Sequence, residues 1–307
     1  MHPRNPHKTG YDFEQLAKAY SPLSVHLAPK PDGKMTIDFA QPAAVKSLNA
    51  ALLSHYYQVH FWDIPDGYLC PAVPGRADYI HGIADLLAAT LQEPENNKTL
   101  PSGKNIRGLD IGTGANLIYP IIGSQSYGWQ MVGTDVHEPS YQSAKVIAKS
   151  NKNLSKLVKV KLQKAGSILN GIIQSDEYYT FTMCNPPFHE SASAAMSGSR
   201  KKNKNLARHA HKRRGGESSA SNRDNLNFGG QHNELWCEGG EFAFVKQMLT
   251  ESQAFAGQVE WFTSLLSKKD SVYGLEKFAK HLGVSDWRVI NMSQGAKASR
   301  FIAWRFQ

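Results

Sequence analysis

The run Tyr179-Thr180-Phe181-Thr182-Met183-Cys184 leads directly into Asn185-Pro186-Pro187-Phe188. The six residues carry no charge and are rich in aromatic and β-branched types, as a strand covered on both faces requires. Two successive prolines, neither with an N–H to donate, then stop the strand. A polar amide and an aromatic ring are left at its carboxyl end, which in an open α/β sheet is the edge where ligands bind. The Asn185 side chain offers one acceptor and two donors, and the Pro186 carbonyl offers another acceptor. Together they can hold a planar amino group, with Phe188 as a face on which its heterocycle stacks. A rigid turn would account for Pro-Pro alone, but not for the amide and the ring that flank it.

A second motif, Gly108-Leu109-Asp110-Ile111-Gly112-Thr113-Gly114-Ala115-Asn116, reads as strand, glycine turn and helix start. Glycines at such a turn let the backbone approach a ligand and adopt positive φ. Gly-x-Gly alone is weak evidence for any one ligand. A dinucleotide site would place a third glycine three residues after Gly114, where this chain has Leu117, and no Gly-Lys-Ser/Thr follows to make a phosphate loop. What remains is a ligand needing close approach without a pyrophosphate cradle. The next strand, from Trp129 to Thr134, ends in Asp135, 23 residues beyond Gly112. That spacing suits a carboxylate accepting from ribose hydroxyls; capping of a helix over Glu138 to Ser150 is the alternative. Asp110 either meets the cofactor's amino-acid end or braces the glycine turn.

Gly112-Thr113-Gly114, Asp135 and Asn185-Pro186-Pro187-Phe188 together resemble the S-adenosylmethionine-dependent amino-methyltransferases. The order from His2-Pro3-Arg4-Asn5 through Asp63-Ile64-Pro65-Asp66-Gly67 and Pro74-Gly75-Arg76-Ala77-Asp78-Tyr79-Ile80-His81 to Asn185-Pro186-Pro187-Phe188 is similar, essentially end to end, to the bacterial 23S ribosomal RNA adenine-N6 methyltransferases that modify adenine 1618. Their eukaryotic relatives modify U6 small nuclear RNA. The resemblance implies a Rossmann-like class I methyltransferase fold, a seven-stranded mostly parallel sheet with an antiparallel last strand. It also implies that S-adenosyl-L-methionine is the cofactor and that the substrate is 23S ribosomal RNA or a large-subunit assembly intermediate. At matching positions it assigns Gly112, Gly114 and Asn116 to the methionine part of the cofactor, Asp135 to its ribose, Asn185 to the target amine, and Gly166 and Ser167 to the neighbourhood of its adenine. Arg76 would pair with the methionine carboxylate, where a guanidinium fork suits bidentate contact.

Charge is informative once located. The formal net charge is +9, but residues 191 to 230 hold nine Lys or Arg against Glu217 and Asp224, which leaves the rest of the chain at +2. This insertion follows the Asn-Pro-Pro-Phe motif directly. Its Arg200, Lys201, Lys202, Lys204, Arg208, Lys212, Arg213 and Arg214 lie among Ser, Asn and Gly, so it is expected to be disordered alone and to bring positive charge to RNA phosphates beside the site. Cys70, Cys184 and Cys237 form neither a Cys-x-x-Cys pair nor an even disulfide set, so no metal is expected. Beside Asn185, Cys184 reads as a small buried hydrophobe rather than a nucleophile. No apolar run has the length of a membrane span, and the first residues lack the apolar segment of a signal peptide. Neither a membrane nor export is expected, and the cytoplasm is the default location.

Helices are expected at Asp12 to Tyr20, Gln41 to His60 and Arg76 to Leu91, forming an amino-terminal helical extension over 1–98 that contacts RNA and the cofactor site. A catalytic domain over 99–307 follows the polar connection that begins at Glu93-Pro94-Glu95. Its strands are expected near 105–111, 129–135, 158–163, 178–184, 259–266, 286–292 and 300–306, alternating mostly with helices in a three-layer α/β sandwich. Ser293 to Ser299 should join the last two strands as an antiparallel hairpin. Three other readings remain open at this stage. A glutamine-N5 protein methyltransferase uses a similar Asn-Pro-Pro-aromatic motif, a cytosine-C5 RNA enzyme would need an attacking cysteine, and a ribosome-assembly module could retain the fold without turnover.

Overall fold

The computed structural model describes residues 1–90, 100–164, 166–191, 236–294 and 297–306. The chain opens with α1 (Phe13–Ala19), started by Asp12, whose carboxylate accepts from the Glu14 and Gln15 amides at 3.1 and 3.0 Å. A 3-10 turn over Ser21–His26 and a short hairpin, β1 (Leu27–Pro29) with β2 (Met35–Ile37), lead to α2 (Pro42–Tyr57). Proline opens α2 at a position where no N–H is needed, and Gln58, left-handed at φ 55°, closes it. Then comes α3 (Val73–Thr90). It begins three residues before Arg76, because Pro74 and Gly75 form its first turn rather than a loop preceding it.

The rest alternates around a sheet. β3 (Arg107–Ile111) is followed by α4 (Ile118–Tyr127), β4 (Gln130–Asp135), α5 (Glu138–Ser150), the single-turn α6 (Lys152–Ser155), β5 (Val158–Leu162) and β6 (Tyr179–Cys184). α7 (Gly240–Ser252), β7 (Val259–Leu266), α8 (Asp270–His281), β8 (Asp286–Gln294) and β9 (Lys297–Arg305) complete it. The seven-stranded sheet has the order β5-β4-β3-β6-β7-β9-β8. β3 to β7 run parallel, and β9 runs antiparallel to both of its neighbours. The mostly parallel sheet and the closing hairpin are as the sequence leads one to expect. The hairpin is tighter than expected, since pairing continues to Gln294 opposite Lys297.

Every residue of β6 is buried, as its uncharged composition requires. One apolar layer, with α1 to α5, covers one face through Leu52, Tyr79, Ile122, Ile147 and Phe181. The other layer, with α7 and α8, covers the opposite face through Val245, Leu249, Leu275 and Trp304. The amino-terminal helices thus share the core of the sheet. The Tyr79 and Thr263 hydroxyls lie 2.7 Å apart, and Gly82 lies so close to Phe301 that a β-carbon would meet the ring at 2.7 Å. No described helix is long and apolar enough to cross a membrane.

Candidate functional site

Strand register fixes the site. Ile111 of β3 lies opposite Cys184 of β6 on one side and Thr134 of β4 on the other, and Asp135 lies opposite Leu162 of β5. Parallel neighbours about 4.8 Å apart therefore release Asn185, Gly112, the Asp135 loop and Gln163 in one row at the carboxyl edge. The chain runs to opposite sides of β3 to reach β4 and β6, so this edge is also the topological switch point. An open cleft lies there, with about 880 Å³ of empty space when the solvent at its mouth is included. Arg76, Gly112, Gly114, Asn116, Asp135, Ser167, Asn185 and Pro187 line it, so the fold brings together eight of the twelve residues the sequence singles out around the chemistry.

The glycine turn adopts the backbone that requires glycine, at φ 70° for Gly112 and 65° for Gly114. The Asp135 carboxylate accepts from the Gly114 amide at 2.9 Å with one oxygen and from the His137 amide at 2.8 Å with the other. It ties the turn to the loop after β4 and does not cap α5, whose N-cap is His137. Burial raises its pKa against the pull of those two amides. Asn116 is braced from both directions: its side-chain oxygen accepts from the Ile118 amide, and its carbonyl accepts from Trp62 Nε1 at 2.8 Å. At the far wall, half-buried Arg76 donates to the Tyr119 hydroxyl at 3.0 Å. Burial pushes that phenol up to about 12, so it remains protonated although Arg76 opposes the shift.

Asn185 is half-buried, yet its side-chain oxygen is shielded from solvent and has no hydrogen-bond partner among the described residues. An amide acceptor left in that state costs about 1–3 kcal/mol unless a ligand completes it. Four predicted residues do not line the cavity. Pro186 is buried behind Asn185, and Phe188 is half-buried beyond Pro187. Gly166 is exposed, its carbonyl accepting from Gln247 at 3.2 Å. Asp110 is fully buried behind the turn, with neither oxygen hydrogen-bonded among the described residues. Burial drives its pKa up to about 7, opposed by the Thr113 hydroxyl, which stands near without completing a bond; Asp135 adds to the rise and Arg76 opposes it. The predicted RNA-contacting residues Arg200, Lys201, Lys202, Lys204, Arg208, Lys212, Arg213 and Arg214 lie outside the described residues. The chain leaves and re-enters beside the site through an isolated parallel bridge, His189 to Trp236, supported by the Cys237 amide donating to the His189 carbonyl at 3.1 Å.

Other lining residues carried no signal in the sequence. Gln163 lines the cavity and donates to the Ser167 and Ile168 carbonyls at 2.6 and 2.7 Å. Glu251 on α7 grips the same loop from the opposite sense, accepting from the amides of Ile168, Leu169 and Asn170 at 2.9, 2.7 and 3.2 Å. Leu69 and Pro71, from the amino-terminal segment, and Phe244 of α7 complete the apolar wall. Cys184 also lines the cavity, but burial pushes its thiol well above the ordinary range, with Asp110 and Cys237 adding to the rise. It is no thiolate nucleophile.

Comparison with known proteins gives this geometry a family. A family described as RNA methyltransferase matches residues 1–307. A ribosomal RNA large subunit methyltransferase F of Psychrobacter arcticus is 51% identical over 313 residues, covering 100% of this chain and 90% of the relative. Its namesake in Klebsiella pneumoniae is 48% identical over 307 residues, covering 100% and 94%. The human METTL16 catalytic domain, solved in complex with the MAT2A 3'UTR hairpin 1, is 30% identical with a TM-score of 0.77, covering 100% of this chain and 96% of that one. The METTL16 amino-terminal domain solved with SAH is 28% identical with a TM-score of 0.73, covering 100% and 99%. With a sheet of this order, a cavity at its switch point and relatives aligned along the whole chain, the protein belongs to the ribosomal RNA large subunit methyltransferase F family and is an S-adenosyl-L-methionine-dependent RNA methyltransferase.

Proposed function

We propose that the methyl acceptor is N6 of one adenine in 23S ribosomal RNA, adenine 1618 by family resemblance, presented as free RNA or in a large-subunit assembly intermediate. The observation that carries this reading is the buried side-chain oxygen of Asn185 at the cavity edge, which has no partner among the described residues. It is an acceptor awaiting an N–H. Relatives named for ribosomal RNA favour an RNA amine over a protein glutamine, and a substrate of that kind places the enzyme in the cytoplasm.

The residues around the glycine turn fit the methyl donor. Apart from its chain neighbours, a β-carbon at Gly112 would meet no protein atom within 4 Å, so a side chain there, besides straining the positive-φ turn, would project into the cavity. Asp135 has spent one bond on each oxygen, and a carboxylate has about four acceptor sites, which leaves capacity for ribose hydroxyls. Arg76 donates to one phenol and retains donors for a carboxylate. Ser167 and Ile168, held by Gln163 and Glu251, form the wall for the adenine end. S-adenosyl-L-methionine, when bound, supplies a methyl group activated by positive sulfur.

The remaining chemistry falls to the chain. The N6 lone pair of adenine is delocalised into its ring and is a poor nucleophile. In accepting a hydrogen bond from one N6–H, Asn185 Oδ1 favours tetrahedral nitrogen and returns the lone pair to it. Holding the amine in one orientation supplies much of the acceleration. No strong base is required before attack, because the product ammonium is acidic. The base must leave its stack to reach the cavity.

Incubating the protein with labelled S-adenosylmethionine and 23S RNA from cells lacking the activity, then digesting the RNA, tests the reading. N6-methyladenosine at a single site is expected. Label at another base, at many adenines or in a ribosomal protein would overturn it.

A further inference from the structure

Outside the insertion the chain is nearly neutral in sum, but that sum conceals a segregation. Residues 145 to 164 contain seven lysines and no acidic residue. Lys145 donates to the Tyr141 hydroxyl at 2.8 Å and lies over its ring, and Lys161 pairs with Glu177. Lys149, Lys152, Lys156 and Lys159 are exposed, and their ammonium groups make no hydrogen bond or ion pair among the described residues. They follow one another over the last turn of α5, α6 and the start of β5, the outermost strand of the sheet. Lysine on an edge strand ordinarily blocks pairing with another sheet. That explains Lys159 alone, since Lys149, Lys152 and Lys156 lie off the strand and guard no edge.

An aromatic ring stands among them. Phe61 is 43% exposed, and its backbone is fixed at the α5–α6 junction by Asn151, which accepts from the His60 and Phe61 amides at 3.0 and 3.1 Å and donates to the Phe61 carbonyl at 2.8 Å. A large, partly exposed apolar side chain is thus anchored through its backbone at Asn151, which falls between Lys149 and Lys152 in the chain. The lysines stand toward the amino end of β5, whereas its carboxyl end delivers Gln163 to the cavity wall, so the face and the cavity are separated by the length of that strand, about 13 Å from Lys159 to Gln163.

We propose that this lysine face, with Phe61, is a second RNA-binding surface that grips the phosphate backbone of the substrate RNA at a strand's length from the methylated base and stacks one unpaired nucleotide on Phe61. Basic groups track phosphates and aromatic rings take bases of any sequence. The proposal rests on the reading of 23S RNA as the substrate. It assigns the face to RNA rather than to a protein partner because the four cations have no acidic residues interspersed and the enzyme's substrate is a polyanion.

The test uses the full chain and an in vitro transcribed 23S RNA fragment carrying the methylated position. Affinity is measured from 50 to 300 mM salt for the wild type, for K149A/K152A/K156A/K159A and for F61A. The fourfold variant is expected to bind about tenfold or more weakly at low salt, with a log–log salt slope smaller by about two or more, since each lost phosphate contact removes about 0.7 to 0.9. F61A is expected to lose about tenfold with an unchanged slope. The KM for RNA should rise while kcat at saturating RNA and affinity for the cofactor stay within about twofold. The corresponding fourfold Lys→Arg variant should bind as the wild type does, separating charge from misfolding. Unchanged affinity and slope in the fourfold alanine variant, with the wild type forming N6-methyladenosine normally, would overturn the face. If the wild type forms none, the substrate reading falls instead.

Discussion

Replacing Glu251 with alanine should weaken cofactor binding from a position outside the cavity lining. Its carboxylate accepts from three consecutive amides of the loop carrying Ser167 and Ile168. The Ile168 and Leu169 bonds are partly buried, and the Asn170 bond is exposed, so water replaces only the last without penalty. Bonds to a charged acceptor are worth about 1.5–3 kcal/mol each when isolated. Two of them, partly hydrated, put the cost of releasing the loop at about 2–4 kcal/mol. Part of that ordering must then be supplied at binding, so the Kd for S-adenosylmethionine should rise about 10- to 100-fold, while E251Q, which keeps one acceptor oxygen, loses less. Titration calorimetry with the cofactor, alongside turnover at saturating cofactor, separates the effects. The expected pattern is a raised Kd and KM with kcat within about threefold, because Asn185 stands at the carboxyl end of β6 and not on this loop. An unchanged Kd with a lowered kcat would refute the argument, and so would a lowered melting temperature as the sole effect.

Asn185→Ala should lower kcat by about 100-fold or more while leaving cofactor affinity within about threefold, as single-turnover kinetics and calorimetry will read. Asp110, with its folded pKa raised to about 7, keeps its proton where the unfolded chain has lost it, so its contribution to stability falls as pH rises from about 4 to 7. D110N should therefore be more stable than the wild type at pH 8 by roughly a few kcal/mol, with the gap closing by pH 4, in denaturant titrations without cofactor. His7 and His81 show the opposite sign. Burial lowers both to about 4, so the stability of their neutral forms is intact above the unfolded value near 6.5 and is lost as pH falls towards 4. Amide exchange should show the amino-terminal residues opening from α3 before the central strands in that window.

What the sequence revealed was what its own chemistry encodes locally. Pro-Pro after an uncharged run located the end of β6, and the glycine pair located a turn that needs positive φ. Residues placed by partners far along the chain stayed hidden. Nothing near Glu251 indicates that it meets Ile168, and Gln163 becomes visible only when parallel register puts it in the row of Gly112, Asp135 and Asn185. Pro74-Gly75 resembles a loop but makes the first turn of α3, because the Ala72 carbonyl accepts from both the Gly75 and Arg76 amides. The β1–β2 hairpin is too short to show alternation. Leu117 stands where a dinucleotide site has glycine, yet it adopts a left-handed φ of 53° beside Asn116, so the backbone shape survives without the residue that usually signals it.

The His189–Trp236 bridge bears on how such enzymes diverge. It fastens together the two points where the chain departs from and returns to the described frame, the first of them at His189, close after Asn185. Once those points are fixed, doubling the chain between them adds about 0.6 kcal/mol of closure entropy, and no strand or helix of the frame has to shift. Selection can rewrite the length and charge of the intervening sequence to suit a different RNA while the methyl-transfer apparatus keeps its shape, which makes substrate choice an exchangeable part.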